Sequence, residues 1–470
     1  LFDGFETGGT PVLLAELVRG KERRYLRTMS LRAESRSTLK LAAPLIIGQV
    51  SQMLLGVADT VMLGQVGVTE LAVLTFANSL FYLPFVFAMG VLTAISVFTS
   101  NARGADDPAA GRASCRNGFY VALMLGVGLS ALFCAFAPFL DRFGQPPEVV
   151  AQSTTFYLVI MVSMTPAILS MALKNHADAM DRPWPPFWIF LGGVILNVFL
   201  NWVLIYGNLG SPQYGLEGAA WATFISRWAI VGGMFWWFAK SRVLREWIPN
   251  RWFRKPDWRA IGRFWAIGFP ASLQMVCEVA AFSAAGLLMG QFGEEAMAAH
   301  QIALMCAATA FMVPLGLAMA LSVRIGEAAG RLQVSRLRAI TVSGWMLGAG
   351  WALVSAVFFF AAGDWLAALF NENSRVVAVA ANILVVVGVF QLVDSLQVGS
   401  VSILRGLHDT RVPAFIAFLA YWVIGIPVAV ALAQFTGLGA VGVWIGLAVG
   451  LLVACLLLCR RAWQRTAPVH

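Results

Sequence analysis

Residues Gly56 to Gly67 read GVADTVMLGQVG, a run apolar enough to lie in a bilayer except for one carboxylate, Asp59. Holding a charge at that depth costs about 2.5–3.5 kcal/mol on insertion scales, so such a residue is kept for pairing or for function. Upstream, Gln49, Gln52 and Gly56 precede Asp59 at spacings of three and four residues. That periodicity puts all four on one face of a helix, which is expected to look into a protein cleft rather than lipid.

The rest of the chain supports a membrane reading. Its 470 residues are 59% hydrophobic and 12% charged, with a mean hydropathy of +0.76. A soluble domain carries about 25% charged residues. Apolar runs between Gly, Pro and charge clusters predict twelve spans: 40–62, 72–98, 117–139, 153–175, 186–207, 217–239, 264–289, 298–323, 340–362, 376–403, 413–434 and 439–459. Each must satisfy its own backbone in lipid, so the fold is a helix bundle. The net charge of +9 suggests nucleic acid until the basic residues are placed. They crowd the segment before span 1, the even-numbered connections and the C-terminus, whereas the odd connections hold only Arg142 and Arg375. This is the positive-inside pattern: both termini are expected in the cytoplasm, and no nucleic-acid partner is expected.

Cys115, Cys134, Cys277, Cys306, Cys455 and Cys459 have no metal-like spacing, and disulfides are not implied. His176, His300 and His408 lack a partner at ligand spacing, and catalysis by them is not expected. The N-terminal segment lacks the form of a signal peptide. Met29, opening MSLRAESRSTLK, reads as an alternative start, with residues 1–28 a dispensable extension.

GVADTVMLGQVG has an echo. GQVG at Gly64–Gly67 returns as GQFG at Gly290–Gly293, a displacement of 226 residues. The same displacement carries Pro44 onto Pro270, and Gly90, Ser96, Val97 and Gly104 onto Gly316, Ser322, Val323 and Gly330. Farther on, MDRPWPPFWIF (180–190) answers HDTRVPAFIAF (408–418) with a displacement of 228. Six spans per copy means both copies insert with the same topology, related by an axis along the membrane normal. The expected architecture is an all-α integral membrane protein: twelve transmembrane helices in two pseudo-symmetric six-helix lobes around a central cleft. Its parts are a cytoplasmic tail (1–38), an N-terminal lobe (39–239), a basic, Trp-rich linker (240–262), a C-terminal lobe (263–460) and a second tail (461–470). Prolines 44, 84, 166, 270 and 314 fall inside spans as candidate bending points.

Taken together, APLIIGQVSQMLLGVADTVMLGQVG, GLEGAAWATFISR and LRGLHDTRVP resemble the MATE family of multidrug and toxin extrusion transporters, over essentially all of Leu39 to Arg461. Acidic residues in spans 1, 7 and 10 resemble the NorM-like bacterial branch. The resemblance implies export of amphipathic organic cations through the bacterial inner membrane, coupled to inward flow of H+ or Na+. No cofactor is implied, and the expected partners are organic cations and membrane lipid, with the chain acting as a monomer. In the family the span 1 aspartate, here Asp59, is implicated in proton and substrate coupling, and Asn197 and Asn201 of span 5 lie near it, their alternative reading being plain interhelical hydrogen bonding. Glu278, one turn after Gln274, and Asp394, flanked by Gln391 and Gln397, correspond to the second-lobe cation site, a candidate Na+ site. Gln52 is the repeat counterpart of Glu278, whereas Asp59 has only Ala285. A departure appears at Phe390, where sodium-binding members often carry a tyrosine. Its absence favours protons over sodium.

One negative charge in a low-dielectric cleft cannot favourably hold drug cation, coupling ion and proton at once, so exchange follows. Met53, Met164, Met171, Met275 and Phe282 are candidates for an adaptable apolar wall, or for ordinary packing. Arg227 in span 6 neutralises a carboxylate or snorkels, the structural reading being favoured. A rival reading is a lipid-linked precursor flippase of the same broader fold, disfavoured because the intramembrane charges are mostly acidic; another is an ion channel. GLGAVG (437–442) follows no strand and reads as a close-packing turn, so nucleotide-driven or enzymatic chemistry is not expected.

Overall fold

In a computed structural model, residues 31–144 and 146–467 are described. Met29 and the rest of residues 1–30 lie outside the described residues. The first lobe comprises α1 (Leu31–Gly64), α2 (Val68–Gly104), α3 (Pro108–Cys134), α4 (Pro147–Val162), α5 (Met164–Ala179), α6 (Trp184–Tyr206) and α7 (Gly215–Lys240). The second comprises α8 (Trp258–Met289), α9 (Glu294–Gly330), α10 (Val334–Phe370), α11 (Ser374–Gly406), α12 (Arg411–Phe418), α13 (Ile426–Phe435) and α14 (Gly439–Arg465). Since α4–α5 and α12–α13 each make one crossing, each lobe supplies six crossings and the bundle has twelve. Among the described residues, ten candidate crossings are long and apolar enough by themselves. The remaining two are α1, which carries the Gln49–Asp59 stripe, and α7, which carries Arg227.

The helices outrun the apolar runs because they continue as polar helix beyond the bilayer zone: α2, α9 and α10 each reach 37 residues. α1 begins at Leu31 and α8 at Trp258. Pro44, Pro84, Pro270 and Pro314 sit inside continuous helices. Elsewhere proline leaves a mark. Pro427 has no N–H to donate four residues back, and just before it residues Leu419–Gly425 widen into a π-helical turn. The segment between α7 and α8 is bound to the first lobe. Tyr120 on α3 donates to the carbonyls of Arg254 (2.6 Å) and Trp252 (3.2 Å), and Arg112 donates to that of Glu246 (2.6 Å).

The repeat is visible as paired contacts. A Cβ on Gly104 would strike Glu327, and one on Gly330 would strike Asn101, the repeat equivalent of Glu327. Gly90 abuts Ser272 just as Gly316 abuts Ile46, the equivalent of Ser272. Ser100 touches Gly326, its own equivalent, which is possible only on the pseudo-twofold axis. The lobes therefore meet as an isologous interface at the end of the molecule that carries the basic connections. Glycine at these positions lets α1 and α2 of one lobe reach backbone contact with α8 and α9 of the other. GLGAVG turns α13 into α14, with Gly437 and Gly439 at positive φ (74° and 52°) and Gly442 packed against the Leu432–Ala433 backbone.

Candidate functional site

Between the lobes lies a cavity of about 250 Å3, whose lining includes Gln49, Gln52, Phe85, Met275, Arg227 and Arg405. The α1 stripe does face inward at this level, with Gln49 and Gln52 on the wall. Met171 and Met275 join them, whereas Met164 is fully buried and Met53 meets Thr309 of the other lobe across a 3.8 Å contact. Phe282 packs on Phe390 and Trp444 instead.

Asp59 turns from the cavity toward α6. Asn201 donates its amide to the Asp59 carboxylate at 2.7 Å and to Asn197 Oδ1 at 3.2 Å, and Asn197 donates to Thr223 Oγ1 of α7 at 3.2 Å. Both asparagines are buried, and Asn201 Oδ1 is left without a partner. Four residues apart on α6, they project from one face, so Asn201 reaches the carboxylate while Asn197 ties Asn201 to Thr223 of α7. Farther along, the Tyr206 hydroxyl donates to the Met62 carbonyl (3.0 Å), pinning the same two helices. Arg227 lies within Coulombic range of Asp59, donates to Ser163 Oγ at 2.5 Å and covers the Phe81 ring at 4.6 Å. It thus faces the interior as a counter-charge and does not snorkel.

The second-lobe carboxylates come together from different helices. Glu278 on α8 and Asp394 on α11 are near enough for their charges to interact. Asp394 is 5% exposed and its Oδ1 has no partner. Gln391 donates to the Ala307 carbonyl (3.0 Å) but leaves Oε1 unpartnered, and Gln397 is buried with both polar atoms unpartnered. Gln274 Oε1 lies 3.5 Å from Arg405 Nη2, and Arg405 is the cation that Glu278 feels most. Among the described residues, no cluster of three or more His, Cys, Asp or Glu is placed to hold a metal. The donors here are all oxygens, two of them carboxylates, a set that suits a hard monovalent cation or a proton.

Two participants were missed in the sequence. Tyr421, in the π-helical turn, brings its hydroxyl beside Glu278 and Asp394 without closing a hydrogen bond of ordinary geometry. Trp422 holds that turn in place by donating to the Cys277 carbonyl at 3.1 Å. The tyrosine absent at position 390 is thus matched by one arriving from span 11, and the only clue was Pro427 downstream. Phe390 packs against Trp444, whose indole donates to His300 Nδ1 at 3.2 Å. Arg405 is the second omission. Beyond it, the other charged groups on the cavity wall are Arg227 and the Lys174–Asp178 ion pair (2.7 Å). Asp59 and Glu278 therefore each have an arginine near them, Arg227 and Arg405, which a tally of charge per span does not reveal.

Comparison with known proteins repeats the two-lobe division. The MatE family model matches residues 44–203 and 270–431, two blocks whose starts are 226 residues apart and whose ends are 228 apart. A "Probable multidrug resistance protein NorM" from Rhizobium meliloti (strain 1021) is 36% identical over 430 residues, covering 90% of this chain and 92% of that protein. The "Multidrug resistance protein PmpM" of Pseudomonas aeruginosa is 33% identical over 441 residues, 93% of this chain and 92% of its own. The crystal structure of the eukaryotic MATE transporter AtDTX14 superposes with a TM-score of 0.83 at 20% identity, covering 93% of this chain and all of that one.

Proposed function

The chain belongs to the MATE family of multidrug efflux transporters, and from that premise we propose that it is an antiporter, exporting amphipathic organic cations in exchange for H+ or Na+ by alternating access. The observation that carries this reading is the Glu278–Asp394 pair: a half-buried carboxylate beside a buried one that has an unpartnered oxygen, next to a cavity shared by two lobes. Burying such a pair is costly unless a cation or proton arrives to balance it. In its absence Arg405 is the internal counter-charge to Glu278, as Arg227 is to Asp59 in the first lobe. When the lobes are open outward, a proton on Asp59, or an ion at Glu278 and Asp394, displaces the cargo. When they are open inward, the coupling ion leaves and a new cation takes over a carboxylate. Each ligand shifts the two states only through its difference in affinity for them. The basic end is cytoplasmic on this reading, with the chain in a bacterial inner membrane and both termini on its cytoplasmic side, and the transporting unit is a single chain.

Efflux of a fluorescent organic cation from proteoliposomes, with pH and sodium gradients imposed separately, tests the proposal. Efflux driven by one gradient, and lost in Glu278→Gln, supports it and identifies the coupling ion. Transport indifferent to both gradients contradicts it. A second reading, export of an anionic or lipid-linked cargo, draws on the basic side chains at the cavity wall. It requires Arg227→Gln and Arg405→Gln to abolish transport of an anionic probe that the intact protein carries.

A further inference from the structure

Repeat symmetry exposes a difference at the basic end, where the lobes meet. In one half of the interface Glu34 on α1 is buried against two arginines of the other lobe. Arg324 on α9 pairs with its carboxylate and also donates to Thr38 Oγ1 and to the Glu34 carbonyl (2.8 Å), and Arg336 on α10 donates to the carboxylate at 2.9 Å. Glu34 is 1% exposed and Arg324 6%. In the repeat register of 226 residues, Glu34, Thr38, Arg324 and Arg336 correspond to Ala260, Phe264, Phe98 and Ala110. The contact equivalent to Arg324–Thr38 is therefore Phe98–Phe264, and these rings do meet, 4.8 Å apart. Where the ionic triad would sit, a cavity of about 240 Å3 remains, with Phe98, Ala110, Ala260 and Phe264 on its wall, Asp107, Asp257 and Arg263 also lining it, and the buried Asn117, whose carbonyl oxygen has no partner. Same backbone, same crossing, opposite chemistry.

We propose that the lobes are closed at this end by an asymmetric latch: the Glu34–Arg324–Arg336 triad clamps α1 to α9 and α10, while the α2–α8 side is shut by Phe98 and Phe264 over a void and parts first. The inference rests on the alternating-access reading above. Separating the lobes at the triad strands charges that satisfy one another only across the interface, which is expensive inside protein. Separating Phe98 from Phe264 breaks no ion pair. One further ion pair crosses near the axis, Arg103 to Glu327 at 3.7 Å, but it is long and Glu327 is already engaged by Arg331 of its own lobe at 2.7 Å. The triad thus sets the population of the state open at the basic end, and the apolar side sets where opening begins.

Pulsed electron-spin distance measurement tests this, with labels at the exposed Lys240 and Arg460 at the ends of α7 and α14, in lipid nanodiscs and in a background whose six native cysteines are replaced. The intact protein is expected to show a dominant short distance and a minor long one. Glu34→Gln raises the minor population roughly tenfold, a shift in keeping with loss of one partner from a buried charge cluster. The reciprocal graft, Phe98→Arg with Ala260→Glu, fills the void with an ion pair and lowers the same population several-fold, so the test stands even where Glu34→Gln does not fold. An unchanged distribution in both variants overturns the latch, as does Phe98→Ala opening the molecule as far as Glu34→Gln. A single distance in every variant, with and without an organic cation, overturns alternating access itself.

Discussion

The two lobes share a backbone register that survives to individual glycine contacts, yet they bury their carboxylates at positions that are not equivalent. In the first lobe Asp59 is bonded directly by Asn201, with Asn197 and Thr223 behind it. In the second, Glu278 and Asp394 face each other with Tyr421 nearby and unpartnered oxygens around them. Duplication thus explains the scaffold, and divergence between the copies shows where chemistry was installed. A carboxylate held by one amide donor suits a gate responsive to one proton. A carboxylate pair short of partners suits a site that must be filled. The basic end repeats the lesson, with an ionic triad in one half and an aromatic pair in the other.

The contrast can be broken by substitution, and the second lobe should suffer most. Glu278→Gln or Asp394→Asn is expected to reduce gradient-driven efflux about 100-fold, the scale of a lost charge-assisted interaction of about 3 kcal/mol. Asp59→Asn, measured in the same liposomes, should cost roughly tenfold to 100-fold. Asn201→Ala leaves Asp59 charged but removes its donor, and a loss of about tenfold is expected. Should Asn201→Ala prove harsher than Asp394→Asn, the ranking of the lobes is reversed. Tyr421→Phe removes one hydroxyl beside the pair, and a change of about threefold is expected, seen as a displaced pH profile of efflux. Tyr206→Phe, whose hydroxyl binds a backbone carbonyl, should leave that profile in place.

The smallest effect concerns His408, in the connection after α11, which packs on Phe98 at 5.5 Å. The residue keeps an exposed face, and partial desolvation against its neighbours holds its imidazole below the ordinary value of 6.5. The unfolded chain therefore takes up a proton near that value that the folded chain refuses, so the contribution is full above it and is lost as pH falls. Thermal unfolding of His408→Gln should lose less stability than the intact protein between about pH 7 and pH 5.

Much of this was legible from residues alone. The twelve crossings followed from apolar runs, and the repeat from Pro44, Pro270 and the GQVG/GQFG pair, because hydropathy and proline constraints act locally. The carboxylates were legible because a charge in an apolar run is conspicuous. Tyr421 was not, since its place depends on a π-helical turn that rotates one residue toward α8. Nor was the inward aim of Arg227 and Arg405, because hydropathy reports depth and not facing. The latch at Glu34 needed both lobes in contact before the equivalence of Arg324 with Phe98 had meaning.

The central claim is that the buried carboxylates trade one cation for another. Its most direct test is a titration of purified protein with an organic cation in weakly buffered, sodium-free solution, following the protons released, and again with sodium present. The account predicts that cation binding releases protons, or is weakened by added sodium, and that Glu278→Gln and Asp394→Asn diminish the exchange. Binding that releases no proton at any pH and ignores sodium would contradict it.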